Sequence, residues 1–133
     1  MTGRTITQIV PHVKLFLSSA TVEGVFGSGK MALLSAIQTT GSISQAARLL
    51  GRSYRKAWGD VRRAEEGLGV PLVTRRRGGI SGGSTRLTPE CRRLLNAWNV
   101  YVRDVETAME HAFGRTLKTL LSNSTGHGAG CGD

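Results

Sequence analysis

Arg55, Lys56, Arg62 and Arg63 crowd one short stretch, and Arg75, Arg76 and Arg77 follow a little later. Cations in this pattern neutralise phosphates, and an arginine can also grip two acceptors on a guanine edge. Nine of the eighteen Lys and Arg residues lie between Arg48 and Arg77, against Asp60, Glu65 and Glu66 in the same interval. The net charge of the 133-residue chain is +9, and its pI is about 10.8. Charge alone also suits an ordinary basic protein, but clustering turns it into a patch and points to nucleic acid. Other chemistries fare worse. GVFGSGKM (24–31) imitates a phosphate-binding loop, yet Met31 stands where the magnesium-binding hydroxyl belongs, and no apolar strand ending in Asp follows. A glycine-rich entry to a helix accounts for it better. His12, His111 and His127 are scattered, so no catalytic constellation forms and the chain does not read as an enzyme. Cys91 and Cys131 have no metal-ligand spacing, and His127 with Cys131 would bind metal only adventitiously. No cofactor or metal is expected.

The elements that must position these cations follow from periodicity. Residues 7–17 are rich in Val, Ile, Leu and Phe and predict a strand, with Pro11 near its start or at an edge. Gly24, Gly27 and Gly29 predict a loop. Lys30 to Thr39 predict a helix through Leu33, Leu34 and Ile37, closed by Gly41. Ser42 or Ser44 caps a short second helix through Leu50, with Ala46 and Ala47 inward. Gly51 supplies a turn. Ser53 caps a third helix (53–68) whose apolar stripe is Ala57, Val61, Ala64 and Leu68. Tyr54 flanks that stripe and Trp58 reads as core. The opposite face carries Arg55, Gly59 and Arg62, with Lys56 and Arg63 beside them. Two helices about a glycine turn are the device that sets side chains in a DNA major groove.

A strand beginning near Pro71, a glycine loop over 78–84 and a return strand at 85–87 make a wing. Thr88 caps a last helix with Pro89 in its first turn. Leu94, Trp98, Tyr101, Val105 and Met109 recur along that helix and predict a dimer seam. The glycine-rich stretch from Ser122 predicts a disordered tail. The fold class is mainly α with a small β wing: a winged helix-turn-helix over residues 1–121, its dimer helix at about 88–121, and a tail at 122–133. The start of the chain lacks a secretory signal, no segment suits a membrane span, and the cysteine usage fits a reducing cytoplasm.

GSGKMALLSAIQTTGSISQAARLLGRSYRKAW, followed by PLVTRRRGGISGGSTRLTP, resembles the winged-helix domain of the molybdate-responsive ModE regulators and the wider LysR-type winged helix. The markers are GSIS, SYxxAW, and a GGxxGG wing leading into LTP, and the likeness covers about residues 7–115. Two positions depart from the pattern: Arg52 stands at a turn position usually apolar, and Cys91 replaces a common glycine. The molybdate-binding domains of those regulators have no counterpart in the glycine-rich tail. The resemblance implies a DNA-binding transcriptional regulator.

The expected interface has three parts. Ser53, Tyr54, Arg55, Lys56, Arg62 and Arg63 face the bases and nearby backbone, with Arg55 as the candidate for guanine. Arg75, Arg76, Arg77, Gly79, Gly82 and Arg86 form the wing site. Ser42, Ser44 and Gln45 meet phosphate at the start of the second helix. The expected partners are double-stranded DNA and a second copy of the chain. With no built-in molybdate sensor expected, control would come through abundance, a protein partner or competition for sites. The competing functions are a DNA-associated protein-interaction module and a P-loop enzyme.

Overall fold

The computed structural model describes residues 8–76 and 84–126, with side chains up to Leu121. The chain divides into two compact units. One runs from Lys14 to Val100, and the other takes Tyr101 onward together with the residues before Lys14.

The first unit opens with β1 (Phe16–Leu17), paired antiparallel with β2 (Phe26–Gly27). The strand expected over 7–17 is thus reduced to its last two residues. Pro11 has no N–H to give to a ladder, β2 offers only two residues to pair with, and Ile9, Val10 and Val13 are exposed.

β2 runs directly into α1 (Ser28–Thr40), which ends at Gly41 with φ 74°. This left-handed cap lets the chain reverse into α2 (Ile43–Leu49) at no steric cost. Ser42 caps α2: its Oγ accepts from Gln45 N at 3.1 Å. Gly51, with φ 69°, makes the next turn. Ser53 caps α3 (Tyr54–Leu68) in the same way, its Oγ accepting from Lys56 N at 3.1 Å. Each cap satisfies a donor that the first helical turn leaves without a partner.

The core forms where α1, α2 and α3 converge. Leu33, Leu34 and Ile37 of α1 meet Ile43, Ala46 and Ala47 of α2, and Ala57, Val61 and Ala64 of α3 complete it. Alanines at these positions let the helices approach closely. Leu68, the last residue of the expected stripe, is only half-buried.

After α3, Glu65 reaches forward. Its Oε2 accepts from Leu72 N at 2.8 Å and Val73 N at 3.3 Å, pinning the start of β3 (Val73–Arg76). β3 pairs antiparallel with β4 (Ser84–Leu87), matching Val73 to Leu87 and Arg76 to Ser84. Arg77, Gly79 and Gly82, expected in the wing site, lie outside the described residues, as does most of the 78–84 loop.

Thr88 caps α4 (Pro89–Arg115) by accepting from Cys91 N at 3.0 Å, and its hydroxyl donates to Pro71 O at 2.8 Å. Cys91, Leu95 and Trp98 are the buried residues of α4. The last helix is interrupted at Thr116, short of the expected residue 121. Gly114 weakens it there, and the Thr116 hydroxyl donates back to Ala112 O at 2.7 Å. α5 (Leu117–Gly126) then continues beyond Ser122, where disorder was expected. Helix propagation adds one bond per residue, so the leucine-rich start carries the polar residues behind it. The rest of the expected tail lies outside the described residues.

Candidate nucleic-acid interface

The α2–turn–α3 unit presents the first turn of α3 to solvent. Ser53, Tyr54, Arg55 and Lys56 are all exposed, as are Ser44 and Gln45 at the start of α2. Ser42 is half-buried and its hydroxyl is taken by the cap. Arg55 and Arg62 make no hydrogen bond or ion pair among the described residues, so their guanidinium groups face outward uncommitted. An arginine in that condition at the amino end of such a helix has the reach and the five donors that base and phosphate recognition require.

Lys56 and Arg63 are arranged differently. Both converge on Asp60, which is 6% exposed. Its Oδ1 accepts from Arg63 Nη2 at 2.7 Å, and its Oδ2 lies 3.6 Å from both Lys56 Nζ and Arg52 Nη1. Three cations around one desolvated carboxylate leave a net positive cluster with a fixed arrangement. Lys56 and Arg63 keep more than half of their side-chain surface exposed, so they remain available to a polyanion. Arg52 also donates to Gly29 O at 3.2 Å, tying the turn to the start of α1. That gives a role to a cation at a turn position usually apolar in the family it resembles.

Asp60 and Arg52 were not among the expected site residues. A signal existed for Asp60, which lies three residues after Ala57 and four before Ala64, on the buried stripe itself. A carboxylate there must be paired, because its lone desolvation cost is several kcal/mol. The cations at i−4 and i+3 were visible. Arg52, brought in by the turn, was not.

Trp58 is half-buried rather than core. Its ring receives the Arg75 guanidinium, whose carbon lies 4.7 Å from the ring centre. Arg75 Nη2 also donates to the Tyr54 hydroxyl at 3.0 Å. The other described wing arginines, Arg76 and Arg86, are exposed and line a cleft of about 360 Å³ with Thr74, Ser84 and Arg75. Arg76 and Arg86 thus supply charge on the outer face of the wing.

The residues that imitate a phosphate-binding loop border an open cavity of about 480 Å³, with Lys14, Arg52 and Lys56 on its wall. Lys30 Nζ donates to Gly24 O at 3.1 Å, so the loop lysine folds back onto its own loop. Cys91 is fully buried, and burial pushes its thiol up to about 11. Arg92 opposes that rise and Glu65 adds to it. A thiol so held is protonated and inert at neutral pH. Among the described residues no group of three potential ligands could hold a metal ion, and no helix is long and apolar enough to cross a membrane.

The expected seam of α4 is divided by the structure. Trp98 is 4% exposed, and its ring packs edge-on against Phe26 with centroids 5.1 Å apart. It belongs to the core of the first unit and is removed from the seam. Leu94, Val105 and Met109 are half-buried, while Tyr101 is exposed.

Residues 29–92 match the profile of the bacterial regulatory helix-turn-helix proteins of the lysR family. Among curated relatives, the molybdenum-pterin-binding protein MopB of Rhodobacter capsulatus is 46% identical over 72 residues, covering 54% of this chain and 27% of that protein. The transcriptional regulator ModE of Haemophilus influenzae is 38% identical over 84 residues, or 63% of this chain and 31% of its own length. ModE of Yersinia pestis is 39% identical over 89 residues, covering 67% of this chain and 32% of that protein. The chain thus spans about a third or less of the length of these relatives.

Proposed function

From a LysR-family helix-turn-helix domain across residues 29–92, we propose that this chain is a sequence-specific DNA-binding transcriptional regulator that acts as a homodimer. α3 enters the major groove by its first turn. Arg55 takes a base edge, and Arg62 and the Asp60-held pair Lys56 and Arg63 meet backbone phosphates. Arg76 and Arg86 hold the flanking backbone from the wing. The observation that carries this reading is the uncommitted guanidinium pair of Arg55 and Arg62, on a helix whose start is fixed by the Ser53 cap and the Gly51 turn.

The phosphate-binding-loop alternative has little to support it. Met31 supplies no hydroxyl, Lys30 is bonded to Gly24, and the motif itself contains the two-residue strand β2.

Selection from a random DNA pool with the full chain tests the proposal. An enriched sequence is expected, and Arg55→Ala is expected to weaken binding to it by about 1–3 kcal/mol while changing affinity for random DNA much less. Equal losses on both would make Arg55 a backbone contact. A pool without enrichment would favour a protein-interaction module instead.

A further inference from the structure

The wing sorts its arginines by strand alternation. In β4, Thr85 and Leu87 are buried while Ser84 and Arg86 are exposed. Arg75 is registered opposite Thr85, whereas Arg86 is opposite Thr74 and Arg76 opposite Ser84. Side chains one residue apart on a strand point to opposite faces. Arg75 therefore stands on the inner face of the wing, and Arg76 and Arg86 on the outer one.

From that inner position Arg75 is bound twice to α3, at the Tyr54 hydroxyl and over the Trp58 ring. Tyr54 and Trp58 are four residues apart, so one helix face presents both. The other end of this connection is also fixed: Thr85 N donates to Gly41 O at 2.9 Å, at the junction of α1 and α2. A continuous set of contacts thus runs from that junction through β4 and β3 to the first turn of α3.

We propose that Arg75 is a positioning residue: by holding Tyr54 and Trp58 it sets the angle between α3 and the wing, and so selects the groove geometry that the two can straddle. This rests on the DNA-binding reading above. The Tyr54 hydroxyl takes one of its five donors and the Trp58 ring lies under its carbon, so the guanidinium is directed at α3. Lysine keeps the charge but has neither the fork nor the plane, so it cannot replace arginine here.

The test uses the full chain, the sequence selected by the wild type, and binding measured over a range of salt. Arg75→Lys and Arg75→Gln are both expected to weaken binding to the selected site about fivefold. Both should leave affinity for random DNA and the slope against salt unchanged. Tyr54→Phe removes the hydroxyl, and combining it with Arg75→Lys should cost no more than Arg75→Lys alone. A phosphate contact gives a different pattern: Arg75→Lys binds like the wild type, and Arg75→Gln lowers the salt slope by about 0.9. That pattern, or additive losses in the double variant, overturns the inference while leaving the DNA-binding reading intact. If the wild type enriches no sequence, both fall. Thermal melting checks folding, and if an Arg75 variant fails to fold, Tyr54→Phe carries the test through the same split between selected and random DNA.

Discussion

Cys91 links the residue scale to a measurable property. It sits in the first turn of α4, fully buried, with its backbone N–H bonded to Thr88. Burial raises the thiol from 9.0 to about 11 in the folded chain. The folded state therefore holds this proton more tightly than the unfolded state does. Its contribution to stability is complete below pH 9 and is lost as pH rises through 11. Two units correspond to about 2–3 kcal/mol of alkaline destabilisation. Denaturant titrations at pH 8 and pH 11 should show that fall in the wild type and a smaller fall in Cys91→Ala, which starts less stable because of the cavity it leaves. Equal falls in both proteins would mean that other groups govern the alkaline limb. Asp60 teaches a related lesson. Its place on the buried stripe beside Lys56 and Arg63 was legible in the sequence, but the third cation, Arg52, is brought to it only by the folded turn.

At the scale of elements, two glycines of α3 separate packing from function. A Cβ on Gly67 would lie 2.5 Å from Val25 Cγ1, whereas one on Gly59 would meet only the Arg63 guanidinium, at 3.5 Å. Val25 is itself buried, so α3 and the segment before α1 approach closely at Gly67. Gly67→Ala is expected to destabilise by about 1–3 kcal/mol through overpacking, less the helix propensity regained. Gly59→Ala should stabilise by up to about 1 kcal/mol. If α3 meets DNA along this face, the stabilised Gly59→Ala protein should bind the selected site more weakly, and unchanged binding would place the groove elsewhere. Melting curves and binding isotherms for the two variants decide both points. These glycines also mark what the sequence could convey. The caps at Ser42, Ser53 and Thr88 and the turns at Gly41 and Gly51 were legible because each rests on bonds within a few residues. The Gly67–Val25 approach and the Arg75–Tyr54 bond were not, since they join positions that only the assembled core brings together. The strand expected over residues 7–17 misled for a different reason: apolar content was present, but a pairing partner of equal length was not.

On the scale of the whole molecule, the outstanding matter is what α4 does beyond its buried part. At 1.5 Å per residue, a 27-residue helix is about 40 Å long. Its buried side chains end at Trp98. Farther on, Val105 and Met109 recur four residues apart and are half-buried, with Val100 exposed nearby. Apolar residues repeating on one face of a long helix call for a cover, and a second copy in two-fold symmetry supplies the same face in return. Such a pair would set two α3 helices about 34–36 Å apart, or a multiple of that, over a near-palindromic site. On the proposed homodimer, the seam would begin after Trp98, which predicts two distinguishable phenotypes. Val105→Asp combined with Met109→Asp should yield a folded monomer by sedimentation, with its melting little changed and its affinity for the selected site reduced at least tenfold, about 1.4 kcal/mol. Trp98→Asp should instead unfold the domain, because a carboxylate would replace the ring packed on Phe26. A Val105→Asp/Met109→Asp protein that sediments as the wild type does would place the dimer contact on another surface. A wild type that is itself monomeric, yet binds one half-site tightly, would remove the dimer from the mechanism.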